Sequence, residues 1–234
     1  MKVLAIDCSA KAVSVAIAED NKLIAEGFLN IKLTHSETLM PMVEQILTNS
    51  KLTLNDIDAF AVTAGPGSFT GVRIGISAIK GMAFNDEKPV YPFSTLMAMP
   101  LVLNKGFSGV VCALMDARRN QFYNALFEIK KGEIARLTED RLITADDLAG
   151  ELALINTPIL LMGDGAELFY TLSGENDVFT LANETIRLQR ASGIAVAAAS
   201  GKNSPEAVTP NALQTVYLRK SQAEREREEK LLNG

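Results

Sequence analysis

The sequence predicts an α/β fold made of two similar halves that arose by internal duplication, and three observations predict it. Residues 2–29 alternate apolar runs with turns, as a three-stranded antiparallel meander does. The same plan returns near residue 110, where a first apolar strand again closes on an aspartate, Asp116 after Asp7. Stretches of helical periodicity follow each meander, so both halves carry strands and helices in the same succession. Pro100, Gly106 and Gly109 punctuate the chain between them, dividing its 234 residues into domains at 1–103 and 104–234.

The elements follow in order. "VLAID" reads as a buried first strand, Val13, Val15 and Ile17 alternate along a second, and the turn "EDNK" leads to a third. Thr34 and Glu37 have capping-box spacing, in which a hydroxyl and a carboxylate satisfy free amides at a helix start. Leu39, Met42, Val43, Ile46 and Leu47 then recur as one apolar stripe, with Pro41 expected to kink the helix and Met40 lying outside the stripe. A strand over residues 59–63 enters "TAGPGSFTGVRIGISAIKG", residues 63–81. A mononucleotide P-loop needs Lys and Ser or Thr after its last glycine, but Gly71 is followed by Val72 and Arg73. The dinucleotide fingerprint fails as well, because its third glycine is misplaced by one residue. A tight turn into a helix remains, either holding an anion on its free amides or serving only as a turn. That helix has two apolar faces, one of Val72, Ile76, Ile79 and Ala83 and one of Ile74, Ala78 and Met82. Two such faces fit an internal helix or one shared with a partner. In the second half "VVCALMD", "NQFYNALFEI" and "IARLTEDRLI" read as three strands, "GDGA" at 163–166 as a turn after "ILLM", and residues 221–234 as a charged helix pairing Glu226 with Lys230.

Composition narrows the function classes. With 47% hydrophobic and 22% charged residues the chain is expected to fold rather than stay disordered. A net charge of −5 and a pI near 5.1 give it no general attraction to phosphate backbones or anionic lipid. Asp7 directly before Cys8 argues against an export or lipid-attachment signal, and the Ala-rich run at 193–200 is far shorter than the roughly 20 residues that span a bilayer. A cytoplasmic protein without membrane contact is the expectation. Cys8 and Cys112 form no disulfide framework and read as small buried side chains. The single histidine, His35, opens the first helix, where a hydrogen-bonded structural or interface role is expected ahead of general-base catalysis.

The segments "IDCSAKAVSVAI", "HSETLMP", "TAGPGSFTGVRIG", "MDARRNQFY", "MGDGA" and "VYLR" together resemble the TsaB (YeaZ) family over nearly the whole chain. "GPGSFTGVRIG" is the most specific of them, and Cys8 stands where the family usually has threonine. The resemblance implies the fold of the actin, sugar kinase and chaperone ATPase (ASKHA) superfamily, two α/β domains about a cleft. It implies a subunit of the bacterial machinery that makes threonylcarbamoyladenosine at position 37 of tRNAs reading codons that begin with A. The superfamily's nucleotide cleft would correspond to Asp7 and Ser9, Gly65 and Gly67, and Asp116. The related synthase TsaD binds a metal through two histidines, and here Ser94 and Ala98 stand in those positions. One histidine in the chain rules out such a site in a single copy. The expected role is therefore a pseudo-enzyme with no catalytic residue, metal or cofactor of its own, ATP and a metal ion belonging to its partner subunits. TsaD would pair with it through His35, Leu39, Met40, Met42, Val43 and Ile46 of the first helix. Val72, Arg73, Ile74, Ile76, Ser77, Ile79 and Lys80 of the second would complete that surface. The ATPase TsaE and tRNA would be reached only through this pair, and the free chain is expected to form a homodimer. The alternative is a nucleotide-dependent enzyme in its own right, a weak ATPase or peptidase-like protein. Ser68 lacks the spacing of a nucleophile elbow, which disfavours the peptidase form.

Overall fold

The computed structural model describes residues 1–84, 87–103, 106–174 and 178–219, so the charged helix expected at 221–234, with Glu226 and Lys230, lies outside the described residues. The first meander consists of β1 (Lys2–Asp7), β2 (Val13–Glu19) and β3 (Lys22–Leu29), joined at the Glu19 to Lys22 turn. Helix α1 (His35–Asn49) follows, then β4 (Ala59–Gly65), α2 (Phe69–Ala83), β5 (Val90–Ser94) and the short α3 (Thr95–Ala98). The start of α1 is set by Glu37, whose carboxylate accepts the Thr34 amide at 2.9 Å and the Thr34 hydroxyl at 2.6 Å. Pro41 sits inside α1 without ending it.

The second half repeats this plan with β6 (Gly109–Asp116), β7 (Gln121–Lys130), β8 (Glu133–Arg136), β9 (Arg141–Thr144), α4 (Ala145–Leu152), β10 (Ile159–Met162), α5 (Ala166–Leu172) and β11 (Phe179–Leu181). Helices α6 (Glu184–Arg187) and α7 (Ala191–Ser200) complete the series. The single third strand expected over "IARLTEDRLI" is instead two short strands, β8 and β9, both antiparallel to β7. Leu126 causes the break: its carbonyl accepts the amides of Leu137 and Thr138, and its own amide donates to the Thr138 hydroxyl, so the outer strand bulges there.

The sheets have one order. The first runs β3-β2-β1-β4-β5 and the second β8-β7-β6-β10-β11, each with an antiparallel meander at one end and parallel strands at the other. In the first sheet, side chains alternate large and small along three strands. Leu4, Ile6, Val15, Ile17, Phe60 and Val62 face one side and pack under α1 and α2. Val3, Ala5, Ala16, Ala18, Ala59 and Ala61 face the other and pack under α7. Helix α7 thus belongs to the first sheet's layer although it comes from beyond residue 104. Its first turn is held by Ser14, whose hydroxyl accepts the Ala191 amide at 3.1 Å, and by a Glu26 to Arg190 ion pair at 3.3 Å.

The burial of Ile79 beneath α2 is complete, whereas Ser77 on the same helix is exposed. Ile79→Ala is expected to lower stability by about 2–5 kcal/mol in urea unfolding. Ser77→Ala should stay within about 0.5 kcal/mol of the parent.

Candidate functional site

Each meander ends its first strand on an aspartate next to one cleft, which Asp116 lines and Asp7 approaches from below, beside Ser9. At the end of β1, Asp7 Oδ1 accepts both the amide of Ser9, at 2.9 Å, and its hydroxyl, at 2.6 Å. At the end of β6, Asp116 Oδ1 accepts the Arg118 amide at 2.7 Å. Each aspartate therefore closes the same turn onto the amide two residues on, as short polar side chains do at strand ends. Asp7 has no exposed surface, and burial pushes its carboxyl up against the lowering effect of the Ser9 hydrogen bonds. Asp116 is exposed at the cleft rim.

The cleft encloses about 1190 Å³. Ser9 and Lys11 form one wall, the start of α2 from Gly67 forms the floor, and Asp116, Arg118 and Asp164 form the far wall. Of the residues expected there, Ser9, Gly67 and Asp116 line it, whereas Asp7 and Gly65 do not: Asp7 is fully buried, and Gly65 lies at the end of β4 beneath the backbone of Val216. The Gly-Pro-Gly turn packs closely on the end of β1, where a Cβ at Gly67 would lie 2.4 Å from the Ser9 carbonyl oxygen. A side chain at Gly71 would place its Cβ 2.0 Å from the Cys8 carbonyl oxygen, so only glycine lets α2 lie against the end of β1. The Ser68 amide donates to the Ser9 carbonyl at 2.7 Å and the Ser68 hydroxyl accepts the Gly71 amide at 3.2 Å, so these two amides at the helix start are engaged within the chain. Asp7 is sealed below the surface, its Oδ1 bonded to Ser9 and its Oδ2 without a hydrogen-bond partner among the described residues, so a hydrated divalent cation in the cleft does not reach it. Among the described residues no group of three or more His, Cys, Asp or Glu side chains is placed to hold a metal.

Asp164 was not among the expected site residues, its only sequence signal being its place in the "GDGA" turn after an apolar strand. It is half-buried, accepts the Gln189 side-chain amide at 3.1 Å and has its carboxyl pushed up to about 6 by burial, with nearby Asp116 adding to the effect. Cys8 and Cys112 are buried, and burial raises both thiols far above their ordinary range.

Beside the cleft, the outer surfaces of α1 and α2 form a groove of about 580 Å³. His35, Met40, Arg73, Ile74 and Ser77 line it, and Leu39 closes its base although almost wholly buried. The other expected interface residues are placed differently. Met42, Val43, Ile46, Val72, Ile76 and Ile79 point into the chain's own core, because α1 and α2 each turn one full stripe toward the sheet. Lys80 is half-buried outside the groove. His35 Nε2 lies 2.7 Å from the Ala10 carbonyl and so donates to it, tying the start of α1 to the turn after β1.

Two mixed α/β sheets of one strand order, one in each half of the chain, give the fold of the actin, sugar kinase and chaperone ATPase class. The chain belongs to the TsaB family. It is 31% identical over 168 residues to the tRNA threonylcarbamoyladenosine biosynthesis protein TsaB of Bacillus subtilis, a match covering 72% of this chain and 73% of that one. The protein of the same name from Escherichia coli is 42% identical over 129 residues, 55% of each chain. The family profile described as "TsaD: tRNA N6-adenosine threonylcarbamoyltransferase" matches residues 29–226. YeaZ from Pseudomonas aeruginosa superposes with a TM-score of 0.75 at 26% identity, covering 93% of this chain and 99% of that structure. Among the described residues no helix is long and apolar enough to cross a membrane.

The raised Asp164 carboxyl has a definite pH signature. The folded chain binds this proton more tightly than the unfolded one, so the group disfavours folding above pH 6 and the penalty fades as pH falls toward 4. Asp164→Asn keeps an acceptor for Gln189 and removes the charge. Its melting temperature should exceed the parent's by several degrees at pH 7.5, with the gap closing near pH 4 in thermal scans.

Proposed function

We propose that this chain is a non-catalytic subunit in the formation of threonylcarbamoyladenosine at position 37 of tRNA, and that it acts by pairing with a TsaD-type synthase. The observation that carries this reading is the groove on α1 and α2, where Met40, Arg73, Ile74 and Ser77 present a mixed apolar and polar surface beside helices whose inner faces are already buried. Exposed methionine and arginine at such a groove suit a protein partner. The absence of catalysis is supported by the engagement of both cleft aspartates with backbone amides and of the sole histidine with a carbonyl. ATP and a metal ion then act in the partner subunits, with none held by this chain. TsaE and tRNA are met through the pair, in the cytoplasm, and two free copies associate through the same groove.

Purified TsaD, TsaE and the enzyme that makes threonylcarbamoyl-adenylate, given unmodified tRNA with and without this chain, test the proposal. Product that requires the chain, with none from the chain and the adenylate alone, is the expected result. Product formed equally without it overturns the reading. Ile74→Glu should weaken pairing about 30-fold or more in calorimetry while the circular dichroism of the monomer stays unchanged.

A further inference from the structure

The motif "VYLR" at 216–219 has no role in the site described so far, yet these four residues touch both halves of the protein. After α7 the chain returns to the first sheet, where Val208 and Val90 exchange amide-to-carbonyl hydrogen bonds and Leu213 inserts into the core under α1 and α2. The Val216 amide then donates to the Ala64 carbonyl at 2.7 Å, and Gly65 makes room for this crossing, since a Cβ there would lie 2.2 Å from the Val216 oxygen. Tyr217 stacks on Phe69 with ring centres 4.0 Å apart and planes within 7°. Arg73 donates its Nε–H to the Tyr217 hydroxyl at 2.7 Å and holds its guanidinium 4.5 Å from the centre of the Phe69 ring. Two residues further on, Arg219 reaches the second half and donates to the Ala117 carbonyl at 2.8 Å.

The two ends of this strap meet different features. Phe69 and Arg73 line the groove on α1 and α2. Ala117 opens the turn between β6 and β7, in which Arg118, Arg119 and Asn120 all have left-handed backbones, with φ of 65°, 56° and 55°. Side-chain-bearing residues adopt this conformation singly and at a cost, so three in succession persist only where surrounding contacts impose them. Those contacts are the Asp116 carboxylate on the Arg118 amide, the Ala117 amide on the Gln121 carbonyl, the Gln121 amide on the Arg118 carbonyl, the Ala145 amide on the Asn120 carbonyl, and Arg219 on Ala117.

We propose that residues 216–219 couple the groove to the cleft rim: whatever engages Arg73 and Phe69 shifts Tyr217 and, through two residues of chain, the hold of Arg219 on the strained turn that carries Arg118. The inference rests on the proposed pairing at the groove and adds its regulation, with the TsaD-type partner as the groove's occupant. Docking that withdraws Arg73 from Tyr217 frees the strap, and docking that adds to the stack tightens it. Either way the turn at 117–121 responds to an event in the neighbouring groove on α1 and α2.

Amide exchange read by mass spectrometry tests the link in the full chain, first alone and then with saturating partner. In the free chain Arg219→Ala and Tyr217→Ala should each speed exchange at the Ala117 and Gln121 amides about three- to tenfold, as loss of one hydrogen bond at the turn implies. Tyr217→Phe, which keeps the stack but loses the Arg73 hydrogen bond, should give a smaller change, and mid-strand amides of β6 should be unaffected in all three. With partner, the parent's turn exchange should change and that of Tyr217→Ala should not, although calorimetry shows that this variant still binds. Turn exchange indifferent to Tyr217→Ala in the free chain, or a partner response that survives in that variant, overturns the coupling. Failure of the parent to bind partner overturns the proposed pairing instead, and the free-chain comparison still decides whether the strap controls the turn.

Discussion

The structure depends on a division of labour between the two faces of its first sheet. Strand side chains alternate by geometry, and β1, β2 and β4 place small residues on one face and large ones on the other. The small face admits a single helix of alanines, α7, at close range. The large face needs more cover and takes two amphipathic helices, α1 and α2. Because those helices turn their stripes inward side by side, their opposite surfaces are left facing solvent, and the groove follows from how the sheet is paved.

The cleft lies between the two repeated halves, and the turns at its edge are closed by the chain's own side chains. Both strand-end aspartates fold back on amides two residues away, in the same geometry in both halves. The glycine-rich turn that looks suited to phosphate brings α2 against the Cys8 carbonyl. Asp7 Oδ1, the Ser68 amide and hydroxyl and the His35 ring hold the end of β1, the start of α2 and the start of α1 together. What the cleft retains is a rim of mixed charge, with Lys11 and Arg118 near Asp116 and Asp164.

Much of this was legible in the sequence because it is local. Period-two alternation marks the first meander, the Thr34 and Glu37 spacing marks the start of α1, and the matching aspartates mark the repeat. Periodicity also finds both apolar faces of α2, but it does not say which one meets the sheet, so Ile79 and Ile74 look alike until β4 is in place. Helix α7 is nearly uniform around its axis and has no stripe to show what it covers. Asp164 and the 216–219 crossing escape for a related reason: both derive their meaning from residues far away in sequence, Gln189 and Asp116 for one and Phe69, Arg73 and Ala117 for the other. The break between β8 and β9 depends on hydrogen bonds across the sheet to Leu126, which no single strand pattern records.

The return of α7 to the first sheet bears on how the chain is made. A ribosome that has released the first 103 residues has delivered all five strands of that sheet and both helices of its large face, but not α7, the main cover of Val3, Ala5, Ala16 and Ala59. The N-terminal half therefore lacks most of one face's cover while the whole second sheet is synthesised. The half begun first is finished last, and the order of assembly runs against the order of translation.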